Sequence, residues 1–143
     1  MLPEAIDLVI VTPTRQLVRT RTREVTLPGA NGYLGVLPGH APLMTELGIG
    51  ELTFQAAAQA APLTIIRGFA EVLPDRVTAL AETAELAAEI DLERAEAAKA
   101  RAEKRLAAGD PNIDWDRASV ALQRALIRIQ VARKHRGAPV NSH

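Results

Sequence analysis

Cysteine is absent from the 143 residues, aromatic side chains make up only 3% of them, and basic and acidic residues cancel at 17 each. Without cysteine there is no disulfide, no catalytic thiolate and no thiolate metal site, a composition that matches a reducing compartment. With only Tyr33, Phe54, Phe69 and Trp115 as rings, a core must be built from Val, Ile, Leu and Ala. The 48% of hydrophobic residues suffices to fill one ordinary domain, or a small domain with an appendage. No apolar run approaches the roughly 20 residues of a membrane helix, and the start carries Glu4 and Asp7 rather than a basic stretch before an apolar one. Neither a membrane span nor a targeting leader is therefore predicted. Catalytic constellations are scarce as well. His40, His135 and His143 lack metal-ligand spacing, and no Ser, His and Asp arrangement or nucleophile elbow is legible, so an enzyme is not expected.

What is present up to residue 81 is a series of short β-type runs broken by turn residues: 6–11, 17–22, 25–27, 33–36, 43–47, 52–55, 63–66, 69–73 and 77–80. Runs at this spacing predict a sandwich or barrel. Ile6, Leu8 and Ile10 alternate with Asp7, and Leu63 and Ile65 with Thr64, which implies one buried and one partly exposed face. Gly48, Gly50 and Gly68 read as strand ends, and residues 82–89 as a connector.

The stretch from Gly29 to Leu47 is the most closely specified. Gly29, Gly32, Gly35 and Gly39 permit positive φ or close backbone approach, while Pro38 and Pro42 fix φ and remove donors, so short and sharply turned strands are expected there. It is not a phosphate loop, because no Gly-Lys-Ser/Thr follows. His40, between Gly39 and Ala41, reads by itself as a turn histidine bonded to backbone.

From Asp91 the period changes to that of a helix. Leu92, Ala95, Ala98, Ala102 and Leu106 lie three or four apart behind Asp91 as N-cap, and Gly109-Asp110-Pro111-Asn112 stops the run. Asp114 can cap a second helix, in which Trp115, Ala118, Leu122, Ala125, Ile129 and Ala132 recur until Gly137 and Pro139. The expected fold is therefore mainly β plus α: a β-sandwich over 1–86, a two-helix antiparallel hairpin over 87–136, and a disordered tail over 137–143. Over half of the hairpin seam is alanine. A buried alanine methyl contributes about 0.8 kcal/mol against about 1.5–3 kcal/mol for Leu or Ile, yet alanine is the best helix former. The combination favours helices that undock without melting; a permanently closed hairpin packed through small residues is the other reading the sequence allows. Charge is uneven too, with ten acids and six bases over residues 1–90 and three acids and six bases over 107–143. A solvated helix face is the plain explanation of that basic end.

The motif Gly32-x-x-Gly35-Val36-Leu37-Pro38-Gly39-His40-Ala41-Pro42-Leu43, preceded by a Val-Ile-Val-Thr-Pro strand end and followed by Ile90-Asp91-Leu92-Glu93-Arg94-Ala95, resembles the epsilon subunit of rotary F-type ATP synthases over about residues 5–135. The resemblance implies a non-catalytic central-stalk subunit. Its sandwich would bind the gamma subunit and the membrane rotor ring, coupling proton-driven rotation to the catalytic core. In that family the turn around His40 faces the ring, which makes Asn31, Tyr33 and His40 contact candidates; where other members tend to be acidic, this chain has Asn31 and Tyr33, favouring an aromatic or amide contact.

The same resemblance assigns a regulatory ATP site to Glu85, Ile90, Asp91, Arg94, Ala95, Arg101, Arg124 and Arg128. Arginines suit that task because guanidinium groups bind phosphate oxygens bidentately, although Asp91 reads equally as an N-cap and the arginines as solvated ones. No cofactor is required; ATP enters as a regulatory ligand that would favour the folded hairpin. An opened hairpin would bring Arg124, Arg128, Arg133, Lys134 and Arg136 to acidic surfaces of the alpha and beta catalytic subunits and inhibit hydrolysis. The lack of a transit peptide points to the cytoplasmic side of a bacterial plasma membrane, with a processed organellar homologue as the alternative. Two other readings are a stand-alone ATP-sensing module and a β-domain binding single-stranded nucleic acid. The second is disfavoured, because the β portion is net acidic and offers few rings for stacking.

Overall fold

The computed structural model describes residues 2–56, 59–60 and 62–137, so the expected tail lies, from residue 138, outside the described residues. The chain forms two compact units, Met1–Leu86 and Ala87–His143. The first holds β1 (Ile6–Val11), β2 (Gln16–Thr22), β3 (Val25–Gly29), β4 (Gly32–Val36), β5 (Leu43–Ala56), β6 (Gln59–Ala60), β7 (Leu63–Leu73) and β8 (Arg76–Leu86). They follow one hydrogen-bonded path, β2-β1-β8-β7-β5-β3-β4, with β6 paired to β5. All pairs are antiparallel except β1 with β8.

A flat sheet could not hold this path, because β2 and β3 lie far apart in it and yet are joined through Arg23 and Glu24 alone. The sheet must double back on itself. The closure is visible at Thr22, which is buried: its hydroxyl donates to the Gln55 carbonyl, and the Gln55 amide donates back to it at 3.0 Å. Ile6, Leu8 and Ile10, Val25 and Leu27, and Val36 face the enclosed space together with residues of the three long strands.

Those long strands show why the sequence pattern reads as more, shorter pieces. Inward positions run Leu47, then Leu52 and Phe54 on β5; Leu63 and Ile65, then Ala70 and Val72 on β7; Val77, Ala79 and Ala81, then Ala84 on β8. On each strand the alternation changes phase at one level, marked by Gly48, Arg67 and Glu82, which drop out of the ladders while register is kept on both sides. Arg67 takes φ 60 and Gly68 φ 141. A Cβ on Gly68 would lie 2.1 Å from the Leu80 carbonyl oxygen and 2.8 Å from Ala81 Cα, so only glycine lets β8 approach here.

Three expectations are therefore corrected. Gly48, Gly50 and Gly68 are strand-interior, not strand ends; Gly50 leaves room for Pro28, whose Cβ a side chain at 50 would meet at 2.6 Å. Residues 82–86 continue β8, and only Ala87–Glu89 form a connecting 3-10 turn. Thr64 and Ile66 are as buried as Leu63 and Ile65, so this part of β7 has no exposed face.

The second unit is an antiparallel hairpin of α1 (Leu92–Ala107) and α2 (Trp115–Gly137). Asp91 caps α1 by accepting from the Arg94 amide at 3.1 Å, and Asp114 accepts from the Arg117 amide at 3.0 Å. Both caps satisfy donors that a helix start leaves orphaned. Ala95, Ala102, Ala118, Ala125, Ile129 and Ala132 are buried as expected. Trp115 is not: it is 55% exposed, standing at the first turn of α2. Ile127 and Val131 are buried off that stripe, and α2 also packs on the 3-10 turn. Its apolar surface is thus wider than a single seam.

Candidate functional site

Two regions carry the residues singled out by sequence. In the sandwich, β3 and β4 form a hairpin in which Gly29 pairs with Gly32 around the tip Ala30–Asn31. Asn31 is exposed there, and Tyr33 is 61% exposed. Tyr33 is nevertheless fixed, because its hydroxyl accepts from the Glu51 amide at 3.2 Å. His40 lies in the turn before β5, half-buried, with Nδ1 2.7 Å from the Ala41 carbonyl oxygen. A carbonyl only accepts, so Nδ1 donates here and Nε2 is left to face a partner. This is the backbone-bonded turn histidine that its neighbours suggest. The turn is held by Gly39 N–H donating to Pro74 O at 2.7 Å. Asn31 and Tyr33 thus lie on the β3–β4 hairpin, and His40 on a separate turn.

The outer face of the long strands carries a further surface that the sequence pattern does not mark. Below the phase change, side chains that would otherwise be inward point out. Met44 is 64%, Phe69 55% and Leu80 53% exposed. Phe69 pairs with Leu80 and with Glu46, Met44 pairs with Glu71, and Leu80 pairs with Val11. Phe69, Leu80 and Val11 thus form one apolar row across β7, β8 and β1, and Met44 stands diagonal to Phe69 with Glu46 and Glu71 beside the two of them. Isolated exposed apolar side chains are ordinary; a contiguous set marks an interaction surface.

In the hairpin, Ile90 and Ala95 are buried, and Arg94 and Arg101 are exposed on α1. Arg124 and Arg128, one turn apart on α2, are half-buried. Arg133 donates from Nη2 to Glu96 Oε1 at 2.7 Å. This pair sets the antiparallel register: equal steps from it bring Arg101 level with Arg128, and Arg105 level with Arg124, while Arg94 lies about 10 Å along the axis from Arg101. The Arg124 Nε is buried and has no hydrogen-bond partner among the described residues, an arrangement that wants an acceptor. Lys134 and Arg136 are exposed near the end of α2. Glu85 belongs to β8, where it accepts from Thr64 Oγ1 at 3.0 Å. Among the described residues no three His, Asp or Glu side chains group as a metal site, and no helix is long and apolar enough to cross a membrane.

A doubled-back sheet followed by a capped helical hairpin defines a class of two-domain subunit, and each half matches a model of the same family. Residues 5–87 match the beta-sandwich domain of the ATP synthase delta/epsilon chain, and residues 88–133 its long alpha-helix domain. The chain belongs to the ATP synthase delta/epsilon chain family. It is 50% identical over 108 residues, 76% of each chain, to the ATP synthase epsilon chain of Koribacter versatilis. It is 46% identical to that of Syntrophobacter fumaroxidans over 92% of this chain and 98% of the relative. To that of Geobacter sulfurreducens it is 48% identical over 92% and 96%. The fold also matches a chain in the cryo-EM structure of the Euglena gracilis mitochondrial ATP synthase OSCP/F1/c-ring assembly. There the TM-score is 0.77 at 23% identity, over 88% of this chain and 80% of that one. A chain of the Tetrahymena thermophila mitochondrial ATP synthase central stalk and c-ring matches at TM-score 0.59 and 11% identity, over 89% and 96%. At such identities the likeness is one of fold.

Proposed function

We propose that this epsilon-type subunit is a non-catalytic part of the rotor of a proton-translocating F-type ATP synthase. Its sandwich docks on the gamma subunit and reaches the c-ring, and its hairpin restrains ATP hydrolysis when it opens. The observation that carries the docking is the exposed apolar patch of Met44, Phe69 and Leu80, in a chain whose fold relatives include components of central-stalk and c-ring assemblies. Asn31, Tyr33 and His40 are the candidates for the ring, with Tyr33 braced and the His40 Nε2 left to face a partner. The sequence relatives from Koribacter, Syntrophobacter and Geobacter are bacterial, which supports a place at the cytoplasmic side of a bacterial plasma membrane, with this subunit held peripherally through its partners.

Regulation rests on the hairpin. Its seam is dominated by alanine and its helices are joined across by an exposed ion pair, worth only about 0.2–1 kcal/mol, so local helicity exceeds adhesion. Arg133, Lys134 and Arg136 lie near one end of α2 and, with Arg124 and Arg128 on the same helix, make it basic and suited to acidic regions of the alpha and beta subunits when the helices separate. ATP supplies the opposing signal. A triphosphate would give Arg124 Nε its missing acceptor and engage Arg101 and Arg128, which stand level, so bound nucleotide favours the folded hairpin by mass action. Asp91 is already engaged as a cap, and its role in that site is to hold the start of α1. Calorimetric titration of ATP into the intact chain is the test: saturable binding lost in Arg124→Ala is expected. No heat at millimolar ATP removes the sensor and leaves the docking role standing.

A further inference from the structure

Beside the apolar patch, the same outer face holds a groove of about 580 Å³ lined by Asp7, Val9, Arg19, Arg21, Arg76 and Thr78 among others. The strand register explains it. Arg19 pairs across with Val9 and Arg21 with Asp7, while Asp7 and Val9 pair on their other side with Arg76 and Thr78. The short side chains of β1 thus form the floor, and arginines from β2 and β8 form the walls. All three arginines are exposed. The floor offers one carboxylate, Asp7, whose Oδ1 lies 3.5 Å from Arg21 Nε, with both side chains over 60% exposed. Among the described residues three cations face one anion, which leaves the groove basic within a sandwich that is net acidic.

We propose that this groove receives an acidic segment of the partner polypeptide that covers the apolar patch, an inference that rests on the stalk-docking role. Three observations select a polypeptide over a compact anion. First, the groove is continuous with the patch: Val9 is followed on the same face of β1 by Val11, which pairs with Leu80, and Leu80 pairs with Phe69. A free phosphate or a headgroup would leave those side chains wet, whereas a chain crossing the face buries them. Second, the cations are spread out. Arg19 and Arg21 are two residues apart on one strand, about 7 Å, and Arg21 and Arg76 are two strands apart, about 10 Å. Successive carboxylates along a strand or helix have such spacings; one phosphate does not. Third, Asp7 occupies the middle and repels a compact polyanion, while separate carboxylates can reach the arginines around it. The face is also polarised, with arginines on β2 and β8 and Glu46 and Glu71 on β5 and β7, so the partner is acidic at one end of its footprint only. Such complementarity sets orientation and association rate more than total affinity.

The test uses the intact chain and a catalytic core that contains gamma and lacks this subunit, with association measured at low and physiological ionic strength. The natural chain is expected to bind more slowly as salt rises, and Arg19→Glu with Arg21→Glu to lose about tenfold in association rate together with most of that salt dependence. Circular dichroism checks folding, and Arg19→Gln with Arg21→Gln replaces the reversal should it misfold. Phe69→Ser with Leu80→Ser tests the docking role separately. If that variant binds poorly while the arginine variant binds like the natural chain, the acidic-segment proposal is overturned and docking stands; if neither variant is impaired, both fall. Two further outcomes overturn it: millimolar inorganic phosphate shifting the Val9 and Thr78 amide resonances only when the arginines are present, which marks a small-anion site, or a dimer of the chain abolished by the arginine reversal, which marks a second copy as occupant.

Discussion

Gly68→Ala puts the phase change of the long strands to the test. Gly68 has φ 141, and the added methyl would stand 2.1 Å from the Leu80 carbonyl oxygen and 2.8 Å from Ala81 Cα. Both obstacles are backbone atoms in the middle of β8, so no side-chain rotation relieves them. Forcing a side-chain residue into that backbone region costs about 1–3 kcal/mol, and displacing β8 adds about 1–3 kcal/mol of overpacking. The sum, about 2–6 kcal/mol, is a large part of a typical domain stability of about 5–15 kcal/mol. Urea unfolding followed by circular dichroism reads it as a lower midpoint at unchanged slope. Gly35→Ala is the control, since Gly35 has open space around its Cβ position and no positive φ; it should fall within about 1 kcal/mol of the natural chain, on the stabilising side. A Gly68→Ala chain as stable as the control would refute the close approach of β8. It would also remove the reason why Phe69 and Leu80 point outward.

Other predictions follow from single contacts. Thr22→Val removes the hydroxyl that joins β2 to Gln55 in a buried setting, and should cost roughly 1–3 kcal/mol in urea unfolding. Asp91→Ala should lower the thermal midpoint of the hairpin through loss of about 1 kcal/mol of capping, while Asp91→Ser retains most of it. Glu96→Gln and Arg133→Gln should each loosen the hairpin by about 0.2–1 kcal/mol at low salt, with the double variant no worse than either single one; additive losses would deny the pairing.

Much of this architecture is legible in residue order. The alternation of Ile6, Leu8 and Ile10, the caps Asp91 and Asp114, and the stop at Gly109, where φ is 69, are local matters, decided by neighbours a few residues away. What is not legible is long-range. Gly48, Gly50 and Gly68 look like breaks because glycine often ends strands, yet Gly50 and Gly68 are there for Pro28 and Leu80, twelve or more residues distant. Trp115 fits a helical period with Ala118, but at the first turn of α2 the period does not ensure a partner. The Glu96–Arg133 pair and the arginine groove depend on which strands and helices become neighbours, and composition does not encode that. The outward side of Phe69 depends on the φ of Arg67, which no propensity scale would assign.

Docking by the sandwich and restraint by the hairpin are separated by adding the chain, intact or truncated after Glu89, to a catalytic ATPase core lacking this subunit, and measuring binding and ATP hydrolysis together. Both forms are expected to bind, and only the intact chain to slow hydrolysis. Binding by neither form, or equal hydrolysis with and without the hairpin, would contradict this.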